Sequence, residues 1–445
     1  MMLFSGGTVV SMDPRIGDLE RGDVLVGGDR IVAVGPDLRA HPEAAGATVV
    51  DTTGRIVSPG FVDTHRHAWE AQLRRSIPDV TDLAEYVTST LAGIAPAYTP
   101  HDMYVGTRLA ALTALDAGIT TMMDFSHNSR TAAHSDAAVQ ALVDTGIRGV
   151  HASMGPHFGD WDRQWPADLA RLRSAYHGAN DGLVTLRLAA LATDEIAGPA
   201  LAYGRDLAAV ARDLGLGVSV DAVFGAPSSA AIVRWAADGL LSADVTLIHA
   251  TGLDAEAWRA MRDTGTTVSL APTSDAQIGL ETAVPAIDEA LAVGIRPGLS
   301  IDVEVALASD MFTQMRTLHA IQRMRAVAGA YGTGAVPYRI TTRDVLDFAT
   351  LQGARTNGLA GVTGSLTPGK QADLLVVDGG DVNTMPLNDP IGTLVLGADS
   401  RNIETVVVAG RIRKAGGRLV GVDVDELRRE VTASRDAIRK AASRG

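Results

Sequence analysis

Pro59-Gly60-Phe61-Val62-Asp63-Thr64-His65-Arg66-His67 is the stretch on which the reading of this chain turns. Apolar residues, Ile56-Val57 and then Phe61-Val62, lead to two histidines one residue apart. On an extended backbone, positions i and i+2 project from the same side. His65 and His67 can therefore bring two imidazoles to one point, as a metal ion requires of its ligands. A lone histidine here would be read as a solvated loop residue. A pair placed after an apolar strand and a Pro-Gly turn is expected to ligate metal, histidine being the commonest metal ligand.

Outward from this motif the chain divides into three parts. Residues 1–57 hold short apolar or alternating runs such as Asp23-Val24-Leu25-Val26, with Gly27-Gly28-Asp29 as a turn before Arg30-Ile31-Val32-Ala33-Val34. They read as a small β-sheet. Residues 58–365 alternate apolar strands with Ala/Leu/Arg-rich helical stretches, the pattern of a parallel α/β barrel. Its strands are expected to end near His67, Phe125, Ser153, Ala190, Asp221, His249, Leu270 and Asp302. Beyond Lys370, Leu374-Leu375-Val376-Val377 and Thr405-Val406-Val407-Val408 are strands again, and Val424 to Ala442 reads as a charged amphipathic helix.

Bulk properties narrow the class. The 445 residues suit a barrel with an accessory domain. No apolar run is long enough to span a bilayer, and Asp13, Arg15 and Asp18 interrupt any N-terminal signal, so no membrane partner is expected. With no cysteine there is neither a disulfide nor a thiolate zinc site, which suits a cytoplasmic location. A net charge of −13 argues against nucleic acid as a partner.

Pro59 to His67 resembles the first-strand motif of the amidohydrolase superfamily, in the branch of cytosine and guanine deaminases and triazine hydrolases. Gly118-Ile119-Thr120-Thr121 is similar to that family's second-strand signature, and Ala349-Thr350-Leu351-Gln352-Gly353-Ala354-Arg355 to its last barrel helix. Gly364 to Leu374 resembles the segment where the chain leaves the barrel. These landmarks fall in family order between about residue 1 and about residue 420. The resemblance implies an α/β fold: a (β/α)8 TIM-type barrel over 58–365, a small β-sandwich built from 1–57 and 366–422, and a C-terminal helix over 423–445.

In such a barrel the C-terminal strand ends face the active site. Metal-competent side chains stand at four of them: His65 with His67, Asp221, His249 and Asp302. The resemblance implies that Asp302 ligates metal and takes a proton from water, and that His249 binds metal or holds water and substrate. The fifth strand, however, ends in Asp221 where the branch has a third metal histidine. A carboxylate is an acceptable ligand for zinc, iron or manganese, although Asp221 could instead bind substrate or orient His67. Three residues on, Phe224 replaces the family's proton-shuttling glutamate, and Leu270 stands where the branch often has a histidine.

The only lysines, Lys370, Lys414 and Lys440, lie outside the barrel, which excludes a metal pair bridged by a carboxylated lysine. The expectation is one divalent ion, zinc with iron or manganese as alternatives, on His65, His67, Asp221 and Asp302, with Asp302 and His249 catalytic. His127, His151 and His157 are candidates for substrate contact and proton transfer. Trp69 and Glu70 would face the pocket mouth, where Trp69 could stack a ring or serve packing alone, and Phe224 would line the substrate site. The expected reaction is hydrolysis of a non-peptide C–N bond in a small cyclic molecule by a homodimer. Two further readings stay open: a barrel redirected to lyase, decarboxylase or isomerase chemistry, and an inactive small-molecule binder.

Overall fold

The computed structural model describes residues 1–282 and 284–444. They form two compact units, one of residues 1–63, 113–121 and 310–421, the other of the described residues within 64–112, 122–309 and 422–444.

The first unit holds a nine-stranded sheet made from both ends of the chain. Its N-terminal strands are β1 (Met2–Val10), β2 (Asp18–Gly27), β3 (Arg30–Gly35), β4 (Thr48–Asp51) and β5 (Arg55–Pro59). β2 and β3 turn at Gly28-Asp29, and Gly28 has φ +59°, a conformation that glycine adopts without cost. β5 pairs antiparallel with Leu374–Asp378, which in turn pairs with Ile403–Val408, so the late strands complete the early sheet. Phe4, Val24, Ile31, Val57, Leu374 and Val407 share one apolar core. At the Pro59-Gly60 turn, a Cβ on residue 60 would stand 2.1 Å from Thr120 Oγ1, so only glycine fits.

The barrel strands are β6 (Phe61–Arg66), β7 (Ile119–Ser126), β8 (Arg148–Ser153), β9 (Val184–Leu191), β10 (Gly217–Ala222), β11 (Val245–His249), β12 (Thr267–Leu270) and β13 (Gly298–Leu299). They follow one another in sequence order, parallel wherever their registers are defined. Beyond β13 the ring closes through backbone bonds: Asp302 N–H donates to His65 O (2.9 Å) and His67 N–H donates to Asp302 O (3.2 Å). The metal-competent ends of the first and last strands are thereby joined. The fold is the (β/α)8 barrel with a separate terminal sheet that the sequence implies.

Inside the barrel, Arg187 on the lysine-free fourth strand is held by four hydrogen bonds. Its guanidinium donates to Ser219 Oγ, Val218 O, Asp244 O and Thr246 Oγ1. The helix Val424–Ala442 is anchored within the second unit. There Ser434 Oγ donates to Asp102 Oδ1 (2.7 Å), Arg108 pairs with Glu430 (2.6 Å) and Ile438 is buried. No helix among the described residues is long and apolar enough to cross a membrane.

Candidate metal centre and catalytic site

The period-2 placement of His65 and His67 turns both rings inward, edge to face with centroids 4.6 Å apart. Asp302 Oδ1 lies 3.0 Å from His65 Nε2 and 3.2 Å from His67 Nε2. These three buried side chains form the one group among the described residues whose ligand atoms gather within 4.8 Å of one another. His67 Nδ1 lies 3.2 Å from Phe125 O, a backbone contact that fixes the ring and aims Nε2 at the cluster.

His249 stands beside the cluster. Its Nε2 is 3.8 Å from Asp302 Oδ2 and 3.7 Å from Asp221 Oδ1, while its Nδ1 meets Asp275 Oδ1 at 2.7 Å. Ser274 donates to Asp302 Oδ2. Asp221 lies outside the tight group of three, and its buried Oδ1 has no hydrogen-bond partner among the described residues. Such an orphaned oxygen next to a convergent N/N/O set fits a divalent cation. Phe224, His249 and Asp302 all have left-handed backbones, with φ of +68°, +64° and +68°. Strain of this kind, about 1–3 kcal/mol per residue, concentrates at functional sites.

Electrostatics follow from burial and from the shared carboxylate. Burial pushes His65 down in spite of Asp302. Burial opposes charge on His67 as well, but the hydrogen bond to Asp302 and the charges of Asp302, Glu70 and Asp221 lift it to about 9. Against its own desolvation, Asp302 is held well below the usual carboxylate range by His65, His67 and His249. Against burial, Asp275 and the charges of Asp302 and Asp221 raise His249 to about 10.

Beside the cluster lies a cavity of about 600 Å³ including its open mouth. His67, His127, His157, Asp221, His249 and Asp302 line it with Tyr86, Ser274 and Phe224, and its walls are otherwise mainly apolar, for example Leu83, Leu91, Val223 and Ile278. None of the described lining residues is Lys, Arg or Glu.

Three of the residues expected at the pocket sit behind its wall. After His67 the chain enters the 3-10 helix Ala68–Leu73, all of it buried. Trp69 therefore turns inward, packs edge-on against Tyr98 and donates from Nε1 to His127 Nδ1 (2.9 Å). Glu70 is fully buried and accepts from Tyr86 Oη (2.6 Å). Burial raises Glu70 to about 7. His151 pairs with Asp124 (3.0 Å) inside the barrel and does not line the cavity. Asp275, Ser274, Tyr86 and Asp124 are partners that sequence reasoning missed. Asp275 carried the best available signal, an acidic residue just past the end of a barrel strand.

An inward ring of histidines and aspartates at the strand ends of a parallel barrel defines a metal-dependent hydrolase site. The chain belongs to the amidohydrolase family, whose profile matches residues 56–413. It is 30% identical over 434 residues to a 5-methylthioadenosine/S-adenosylhomocysteine deaminase of Symbiobacterium thermophilum, covering 92% of this chain and 93% of that protein. In fold it resembles an adenosine deaminase from Xanthomonas campestris with bound zinc (TM-score 0.83, 23% identity, 99% and 98% of the two chains). It also resembles an atrazine chlorohydrolase variant from Arthrobacter aurescens complexed with zinc and atraton (TM-score 0.82, 22% identity, 98% and 100% covered). The protein is thus a metal-dependent hydrolase of C–N bonds other than peptide bonds, with deaminases among its relatives. The redirected and binding-only readings give way to the hydrolytic one.

Proposed function

We propose that this enzyme removes an exocyclic amine from a neutral, flat heterocycle of the 6-aminopurine nucleoside class, using one zinc ion. The observation that carries the substrate reading is the cavity wall, which is largely apolar and presents no Lys or Arg among its described residues to pair with an anionic group. The relatives named as methylthioadenosine and S-adenosylhomocysteine deaminases supply the class. The wall favours the uncharged member over the one bearing a free amino acid, because an unpaired carboxylate would be costly to desolvate there.

His65, His67 and Asp302 would hold the ion, with Asp221 Oδ1 completing its ligand set. When bound, such an ion supplies a water whose pKa is lowered to ~7. Asp302, kept ionised by its neighbours, would accept a proton at Oδ2, the oxygen now facing Ser274. His249, with Nδ1 anchored by Asp275, would donate from Nε2 to the departing amine. That transfer takes the place of the carboxyl that Phe224 cannot provide. A homodimer in the cytoplasm belongs to the same reading, consistent with a cysteine-free chain.

The test measures metal content and ammonia release together, using 5′-methylthioadenosine and S-adenosylhomocysteine as substrates. The reading requires about one zinc per chain, lost in His65→Ala, and turnover of the thioether nucleoside well above that of the amino-acid nucleoside. Equal turnover of both would overturn the substrate class, and activity without metal would overturn the mechanism.

A further inference from the structure

We propose that His127 is a specificity-determining residue: Trp69 holds it as the Nε2–H tautomer, and the site thereby presents a fixed neutral donor to an acceptor atom on the ligand. The inference rests on the neutral heterocycle proposed above. An indole nitrogen can only donate. Trp69 Nε1–H points at His127 Nδ1 from 2.9 Å, so Nδ1 must be bare. The proton of an uncharged imidazole then has one place left, Nε2. A ring that accepts at Nδ1 cannot be the imidazolium, in which both nitrogens donate, so the same bond requires an uncharged His127.

Geometry prevents the ring from turning away. It stacks on His67 with centroids 4.1 Å apart and planes 12° from parallel, and His157 meets it edge-on at 5.0 Å. Its Nε2 is only weakly used by the protein. The nearest acceptor is Tyr86 Oη at 3.5 Å, the limit of a hydrogen bond, and the Tyr86 proton is itself committed to Glu70 at 2.6 Å. A ring nitrogen or carbonyl oxygen brought closer than that would take over the bond. A ligand without one would leave a buried donor unmet, which costs roughly 5- to 150-fold in affinity. Trp69 is then a positioning residue, acting through His127 without touching the ligand.

The experiment uses the metal-loaded full chain labelled with 15N at histidine. In the wild type the His127 signals should show a bare Nδ1 and a protonated Nε2. Trp69→Phe, which keeps a ring and removes the donor, should populate the other tautomer. Adding 5′-methylthioadenosine should shift the Nε2–H signal, and the affinity should fall roughly 10-fold in His127→Leu. A wild-type Nδ1–H tautomer overturns the inference, as does a bound nucleoside that leaves Nε2–H unmoved or a Trp69→Phe spectrum identical to the wild type. Failure of the nucleoside to bind at all counts against the proposed substrate instead, and the wild-type tautomer still decides this inference. That spectrum also stands if Trp69→Phe does not fold.

Discussion

Asp275 Oδ1 and His249 Nδ1 lie 2.7 Å apart with both side chains buried, so the imidazole that faces the metal cluster is oriented by a carboxylate from the neighbouring strand end. Burial makes the ionised Asp275 costly, and its carboxyl is pushed above the usual range even beside His249. The hydrogen bond to Asp275 and the charges of Asp302, Asp275 and Asp221 nonetheless outweigh burial at His249 and raise it to about 10, so the imidazole holds a proton, as a donor to a leaving group requires. Asp275→Asn keeps the shape and removes the charge. Turnover is expected to fall ~10²-fold or more, the contribution typical of a positioned acid. Metal content should stay unchanged, since Asp275 is outside the ligand group. His249 is raised to about 10 with Asp275 among the causes, so the variant should lose the protonated form at lower pH. The alkaline limb of the pH profile must then move down; an unmoved limb would show that His249 is not the donor.

Phe224 occupies the wall at φ +68°, three residues after Asp221. Phe224→Glu puts a carboxylate into a mainly apolar surface that holds a neutral ligand. KM for the nucleoside should rise at least about 10-fold, the effect of an unpaired charge even after partial solvation, with no gain in kcat. The combined Asp221→His and Phe224→Glu variant should also lose native turnover. A rise in kcat for either variant would mean that the site lacks a proton donor, and His249 would lose the role assigned to it.

Much of this arrangement was legible in the sequence because it depends on local periodicity. Alternation placed His65 and His67 on one face, and the apolar runs ending at Asp221, His249 and Leu270 are barrel strands. The residues just past the first strand were harder. The period changes from 2 to 3 in the 3-10 helix Ala68–Leu73, which carries Trp69 and Glu70 into the interior. Partner choice was illegible for a different reason. Asp124 meets His151 and Asp275 meets His249 through lateral strand and loop placement, which no single segment encodes. The hydrogen bond from Trp69 to His127 spans 58 positions, and its consequence for the tautomer needs both rings in place.

Glu70 gives a stability signature with a definite sign. Its folded-state value of about 7 lies above the ordinary 4.5 of a glutamate, chiefly through burial. Below pH 4.5 the carboxyl is neutral in both states and contributes nothing. Between 4.5 and 7 the folded state keeps a proton that the unfolded chain has lost, so stability declines as pH rises, and above 7 the whole penalty is present. A rise from 4.5 to about 7 sets an upper limit of about 3 kcal/mol on that penalty. In metal-free protein, Glu70→Gln should therefore gain stability over the wild type as pH rises from 5 to 8, read by denaturant midpoints at each pH. Parallel curves would mean that Glu70 is ionised throughout.

Gly106, on the helix Pro100–Asp116, tests the support beneath Trp69. A Cβ there would come within 2.2 Å of Trp69 O and 2.3 Å of Gln72 Oε1. Backbone cannot yield as a flexible side chain can, so Gly106→Ala must push the helix or the Trp69 segment aside. Overpacking of this kind costs about 1–3 kcal/mol, against about 1 kcal/mol gained from replacing glycine inside a helix. The net expectation is a lower melting temperature, together with a weakened Trp69–His127 bond visible in the histidine 15N spectrum. If Gly106→Ala melts higher and leaves that spectrum unchanged, the helix is not what holds Trp69 against His127, and the donor must be positioned by Tyr98 and the surrounding core alone.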